Sequence, residues 1–580
     1  MVHGQCRHQS GTGALLRHLH FKNDVEVSER SERMANRRLK LAIEKRVALS
    51  NGFLRAFFGI TVPILWATAT LAQSGTAGTP QPGRMSLLMP DDFSELHLVA
   101  WRVEPGTLDA DNPLVEGDKP WDSGGVGIHG SVFKDPISGK WRAYVVCTTS
   151  EGPSSDWPKP WGSEQGRKRR LCVYESKDGV HWTRPELTLV PFGDQKTTNI
   201  LMRLSEGTSA YSSIFTDPSD HAAPYRMYLL RERSLEGNPP KEKDGYYIYQ
   251  SRDGFQWELA GGPVSEPMKG DLSFFYRLSP DQYVAYYRLG GKRQPTDHVP
   301  AYESTPRRSI YRATSSDGTT WKQDPSMELT ADELDHRDTQ YQELVPLRVE
   351  GGYIATVTMY HPLSQTQDVR IAASHDGSHW WFPDRRPVLG NTPLGDYGSG
   401  MIWQSQNLIA QDGRIYMYYG ASEGTHRQIS DSLAPSKPVA YLQTVIDEGD
   451  SFLPFNTALC RAFWQYDRLY ALISSAGGPT VGDAITKPQP LGGKTLWVNI
   501  VTRPAKKSST PGFDEGDLQV ELLDADDHPI RGFTRKDCKP LTGDHHSIRV
   551  NWSGGEQAPP GAKKAKFYLK RVFLYGFEFR

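Results

Sequence analysis

A seven-residue phrase returns four times in this chain. It reads Ser176-Lys-Asp-Gly-Val-His-Trp182, Ser251-Arg-Asp-Gly-Phe-Gln-Trp257, Ser315-Ser-Asp-Gly-Thr-Thr-Trp321 and Ser374-His-Asp-Gly-Ser-His-Trp380. Its tryptophans stand 75, 64 and 59 residues apart. Self-similarity at a recurring period is the signature of a repeat architecture. The phrase itself predicts a tight turn, because Gly adopts positive φ freely and Asp bonds its own nearby backbone. The Ser hydroxyl is expected to hold the same loop, and the Trp to pack the turn onto the sheet beneath it.

Each phrase sits at the end of a set of strands. Aromatic and β-branched runs precede it at 141–147, 225–230, 283–288 and 353–360, and second runs lead into it at 171–176, 246–251, 310–315 and 369–374. Shorter runs stand upstream at 130–133, 213–215, 272–276 and 341–347. Short runs of this composition, bounded by Gly, Pro, Asp and Ser, read as strands. The segment after each Trp can supply a fourth. Four-stranded units arranged radially make a β-propeller. A fifth unit is legible at 401–403, 415–420 and 439–445, with Asp447-Glu-Gly449 and Phe452 where the phrase should be. The reading is an all-β chain: a five-bladed propeller over 90–490, with four blades and a long tail, or six blades, as rival counts. A tail over 491–580, with strands at 495–501, 518–523, 547–552 and 567–579, reads as a small β-sandwich. Its expected role is packing against the propeller; direct sugar binding is the alternative.

Lys+Arg 67 against Asp+Glu 68 argues against a general nucleic-acid binder. The apolar run at 56–67 follows Arg46 and Arg55 and precedes Thr70-Leu-Ala72. It is too short for a bilayer and reads as a signal peptide cleaved near Ala72, with Met34 as a candidate start, 73–89 as a linker and an uncleaved anchor as the alternative. The expectation is therefore a secreted or periplasmic bacterial protein without a membrane span after cleavage. Oligomeric state stays open. Of the five cysteines, Cys147 and Cys172 lie on successive strands and are expected either to pair or to remain buried thiols. No zinc-ligand spacing is present, and no cofactor is expected; a structural calcium in the channel is left open.

Residues 174–187 (YESKDGVHWTRPEL) resemble the first-blade signature of secreted bacterial propeller proteins related to glycoside hydrolase family 32, and 518–533 resembles their C-terminal sandwich. The resemblance spans nearly the whole mature chain and implies a five-bladed propeller with an appended sandwich that acts on or binds carbohydrate. That family's nucleophile motif, of Trp-Asn-Asp-Pro type, is missing from the first unit. The repeated phrase also resembles the Asp-box of sialidases, which is a structural turn on six-bladed proteins, so sialidase activity is not inferred.

A glycosidase needs two carboxyls across the scissile bond. In a propeller, residues just before each inner strand face one mouth of the channel. Asp271, Asp338 and Asp396 hold that position in the third, fourth and fifth units, and Glu343 lies within the fourth unit's strand. These four are the candidate catalytic acids; the competing readings are loop-favoured Asp residues and, for Glu343, an inter-blade salt bridge. Trp157 and Trp161 could stack a sugar ring. Arg288, with Arg231 and Arg308, could hold an acidic or sulfated sugar, and His129 and His426 could bond sugar hydroxyls. The leading expectation is a glycoside hydrolase acting on a plant or algal polysaccharide or oligosaccharide. The alternatives are a lectin-like propeller and a scaffold.

Overall fold

The computed structural model describes residues 87–149, 168–202, 211–217, 220–231, 245–268, 272–290, 308–393, 396–426, 457–474, 480–505 and 514–580. These fold almost entirely as strands, with three-residue 3-10 turns at Pro90–Asp92 and Pro120–Asp122. Among them no helix is long and apolar enough to cross a membrane; the apolar run at 56–67 lies outside them.

Five antiparallel sheets follow one another in chain order. In the first, Val126–Gly127 and Val132–Lys134 both pair with Trp141–Thr149, followed by Lys168–Ser176 and Trp182–Thr183. The second holds Ser212–Thr216, Tyr225–Arg231, Gly245–Ser251 and Glu258–Gly261. The third holds Ser273–Ser279, Gln282–Gly290, Arg308–Ser315 and Lys322–Leu329. The fourth has Gln340–Val349, Gly352–His361 and Thr366–Ser374, with single bridges to Trp381 and Leu389 in place of a fourth strand. The fifth has Met401–Gln411, Arg414–Ser422 and Thr457–Gln465. Its third strand therefore lies beyond the 439–445 run expected for it, which falls outside the described residues together with Asp447 and Phe452. Its fourth strand is Thr107–Leu108, brought from before the first sheet.

Each repeated phrase folds as a side-chain-held turn. In all four, the Ser hydroxyl accepts the Gly N–H at 2.9 Å, and one Asp oxygen accepts two backbone N–H groups further on. The glycine φ angles are 74° to 78°, which any L side chain would resist. N–H donors from Thr320 and Thr319 hold the Asp317 carboxyl well below the usual carboxylate range.

The glycine carbonyl then receives a tyrosine hydroxyl from the preceding sheet. Tyr144 donates to Gly254 (3.1 Å), Tyr228 to Gly318 (2.8 Å), Tyr286 to Gly377 (2.7 Å) and Tyr418 to Gly179 (2.8 Å). The last of these joins the fifth sheet back to the first. The phrase Trp does not simply cover its own sheet, as the sequence suggested. It stands edge-on to that same tyrosine, at 6.0 to 6.3 Å between ring centroids, and so straddles the joint. Between the fourth and fifth sheets the tyrosine position is Thr356, whose hydroxyl bonds Gln404 instead.

Two further sheets share a separate core. One runs Phe93–His97, Val481–Thr486, Lys564–Lys570, Asp517–Leu523; the other runs Val99–Val103, Tyr470–Ser474, Val572–Phe579, Leu496–Thr502, Asp544–Arg549. Val498, Ile500, Leu518, Val520, Leu522, Phe567, Leu569 and Leu574 lie fully buried between them. The sequence reading drew a line at 490; strand pairing carries 93–103 and 470–486 to the C-terminal side of it. Such long-range pairing leaves no local signature. Cys147 and Cys172 form a disulfide, with Cα atoms 5.9 Å apart, and Cys460 and Cys538 are buried free thiols.

Candidate active site

The first strands of the sheets are stitched together by one repeated bond: a backbone N–H of one strand donates to a side-chain oxygen of its neighbour. Ile214 donates to Ser131 (2.8 Å), Phe275 to Ser213 (2.8 Å) and Val132 to Ser405 (3.0 Å). At the joint between the fourth and fifth sheets, Gln404 donates to Glu343 Oε2 (3.0 Å). Glu343 thus fills a place that a serine fills at three other joints. The fifth sheet's first strand bulges at 404–408, which lets Gln406 cross the centre. Its side chain accepts from Ser131 (2.7 Å) and donates to the Phe275 carbonyl (2.5 Å), tying the fifth sheet to the first and third.

Glu343 is 2 % exposed. Oε2 also accepts the Thr358 hydroxyl at 2.8 Å, whereas Oε1 is buried with no hydrogen-bond partner among the described residues. Burial pushes its pKa up to about 7, against the opposing pull of Gln404, Thr358 and the Arg288 guanidinium. Arg288, in turn, is held down to about 10 by burial and by the neighbouring Arg308. Arg308 reaches from the third sheet to the fourth, bonding Gln342 Oε1 at 2.8 Å with its guanidinium 4.2 Å above the Tyr360 ring. His426 lies 5.3 Å from Tyr360 between ring centroids. His129 packs against Tyr211 (4.4 Å) and Trp403 (5.4 Å).

Asp338 stands beside two imidazoles, 2.6 Å from His336 Nδ1 and 3.6 Å from His361 Nδ1. His361 Nε2 is 2.8 Å from Asp368, and that hydrogen bond raises the imidazole pKa. Of the residues singled out in the sequence, Glu343 and Arg288 come together, His426 packs on the Tyr360 ring that Arg308 covers, His129 packs on Tyr211 and Trp403, and Asp338 joins the His361–Asp368 pair. Asp396 is exposed in a turn, its N–H donating to the Pro393 carbonyl. Asp271, Trp157 and Trp161 lie outside the described residues. Asp122, before the first sheet, is fully buried and held by Arg184 and Tyr174, which is a structural duty. Tyr211, Trp403, Tyr360, His361 and Asp368 were missed. The Tyr360-His361 pair at a strand's end was the one local hint. Two partly exposed groups, Asp91–Asp92–His375 and Asp524–Asp526–His528, have geometry that could hold a cation.

No protein-family model matches the chain, and no curated protein matches it. Among solved structures it is similar to one titled as a glycoside hydrolase, at 13 % identity over 63 % of this chain and 92 % of the other, TM-score 0.39. It is similar to a β-1,2-mannobiose phosphorylase from Listeria innocua, at 14 % identity over 63 % and 98 %, TM-score 0.39. A third comes from work on the GH130 family of mannoside phosphorylases and hydrolases, at 14 % identity over 58 % and 93 %, TM-score 0.37.

Proposed function

We propose that this chain is a carbohydrate-active enzyme that cleaves a glycosidic bond of a plant or algal polysaccharide or oligosaccharide, with Glu343 as general acid. The observation that carries the reading is the substitution of function for structure at one joint. A hydroxyl suffices to accept the neighbouring N–H at three joints. The fourth uses a carboxyl with an oxygen to spare and a pKa near neutrality, which is the state a general acid needs.

Asp338 is the proposed base, oriented by His361. Glu343 pairs with Thr358, and His361, which orients Asp338, follows three residues later on the same strand. Glu343 would protonate the leaving oxygen while Asp338 takes a proton from the attacking water. In this proposal the five sheets are the blades of one propeller, the two-sheet unit is its sandwich, and the family 32 resemblance is a distant kinship. The Cys147–Cys172 disulfide supports an oxidising, extracytoplasmic location.

The test is reducing-sugar release across plant and marine polysaccharides, with Glu343→Gln, Asp338→Asn, Asp271→Asn and Asp396→Asn beside the parent protein. Loss in the first two, with folding retained, is expected. Sugar binding without release by the parent protein would assign a lectin instead.

A further inference from the structure

Arg308 is the cation whose place in the fold is least explained by structure. A guanidinium carries five N–H donors; the described contacts of Arg308 are one hydrogen bond, to Gln342, and the face of Tyr360. Among the described residues no carboxylate lies within ion-pair distance of it. The joint it spans is already fastened by the Tyr286–Gly377 bond and by Arg312 on Ser378, so a second strap adds little. Arg288, 8 % exposed, lies close enough for the two cations to repel. The Tyr360 ring lies 4.2 Å from the guanidinium carbon, and a guanidinium held against an aromatic face suits a planar, two-point acceptor, the geometry at which Arg surpasses Lys.

We propose that the substrate of this site carries an anionic group, a uronate carboxylate or a sulfate ester, which Arg308 binds with Arg288 beside it. The proposal rests on the carbohydrate reading above and narrows it to acidic glycans.

The experiment measures kcat/KM of the full chain on uronate-containing and sulfated oligosaccharides. Each is paired with its carboxyl-reduced or desulfated counterpart, with and without inorganic phosphate. The parent protein is expected to favour at least one charged sugar over its neutral counterpart by roughly 10- to 100-fold, the scale of a charge-assisted pair of hydrogen bonds. Arg308→Gln should bring that ratio close to one, and Arg308→Lys should leave it in between. Melting curves check that both variants fold. Equal or inverse preference in the parent protein overturns the proposal without touching the glycosidase reading, and so does an Arg308→Gln ratio that stays unchanged while both rates fall. Turnover that needs phosphate and ignores sugar charge also overturns it, by making the anion a free co-substrate. Neither binding nor cleavage of any sugar by folded protein overturns both readings.

Discussion

Glu343→Gln should change how stability depends on pH. In the folded chain the Glu343 pKa is raised from 4.5 to about 7, so between those values the native state keeps a proton that the unfolded state has lost. Stability contributed at this site therefore falls as pH rises through that window. The difference corresponds to about 3 kcal/mol, at roughly 1.4 kcal/mol per pH unit, because burial of the charge outweighs what Gln404, Thr358 and Arg288 return. The amide is uncharged and keeps an oxygen for Gln404 and Thr358, so its contribution should be flat. For a folded unit of roughly 500 residues the unfolding entropy is on the order of 1 kcal/mol/K, so the two proteins should diverge by about 3 °C in melting midpoint. The assay is a pair of thermal melts at half-unit steps from pH 4.5 to 8.5, read as a difference curve. The variant should be the more stable protein at pH 8, its advantage shrinking toward zero near pH 5. Parallel curves, or a variant that is weaker at pH 8, would refute the reasoning that an uncompensated carboxyl sits at this joint.

Three further outcomes are expected. Turnover should decline as pH rises through about 7, as Glu343 loses the proton it donates; a pH–rate profile still rising at pH 8 would count against the acid assignment. Replacing Tyr144, Tyr228 or Tyr286 by Phe leaves a buried glycine carbonyl unmatched and should cost about 1–3 kcal/mol each, measured by denaturant melts. Gly254→Ala would place a Cβ 2.6 Å from the Tyr144 hydroxyl at φ 78°, whereas Gly139→Ala, at φ 72°, meets no atom within 4 Å. The first should therefore lose clearly more stability than the second in the same melts.

The turn chemistry of the repeated phrase was legible because Ser, Asp and Gly act within four residues of one another. Which sheet each turn docks on was not, although the matching tyrosines recur in sequence at Tyr144, Tyr228, Tyr286 and Tyr418. A hydroxyl that reaches the neighbouring sheet looks, in sequence, like any strand aromatic. The pairing of 93–103 with strands at 470–486 was hidden for a related reason: the partners lie hundreds of positions away. At the site, Glu343 was legible as an acid within an inner strand. Its equivalence to Ser131, Ser213 and Ser405 appears only once the strands are side by side. His361 and Asp368 escaped because their pairing crosses a hairpin, where chain order does not show which side chains meet.

The four tyrosine bonds differ in the length of chain each must close. Three span 110, 90 and 91 residues, but Tyr418 to Gly179 spans 239. Loop-closure entropy and contact separation make the long one the slowest to form. Assembly should thus run as a growing row of sheets that becomes a circle only after the fifth has been made. Until then the first phrase has its turn but no tyrosine to receive. A chain cut before Met401 would keep the first three joints and lose the circle, along with the strand that supplies Gln404 and Gln406.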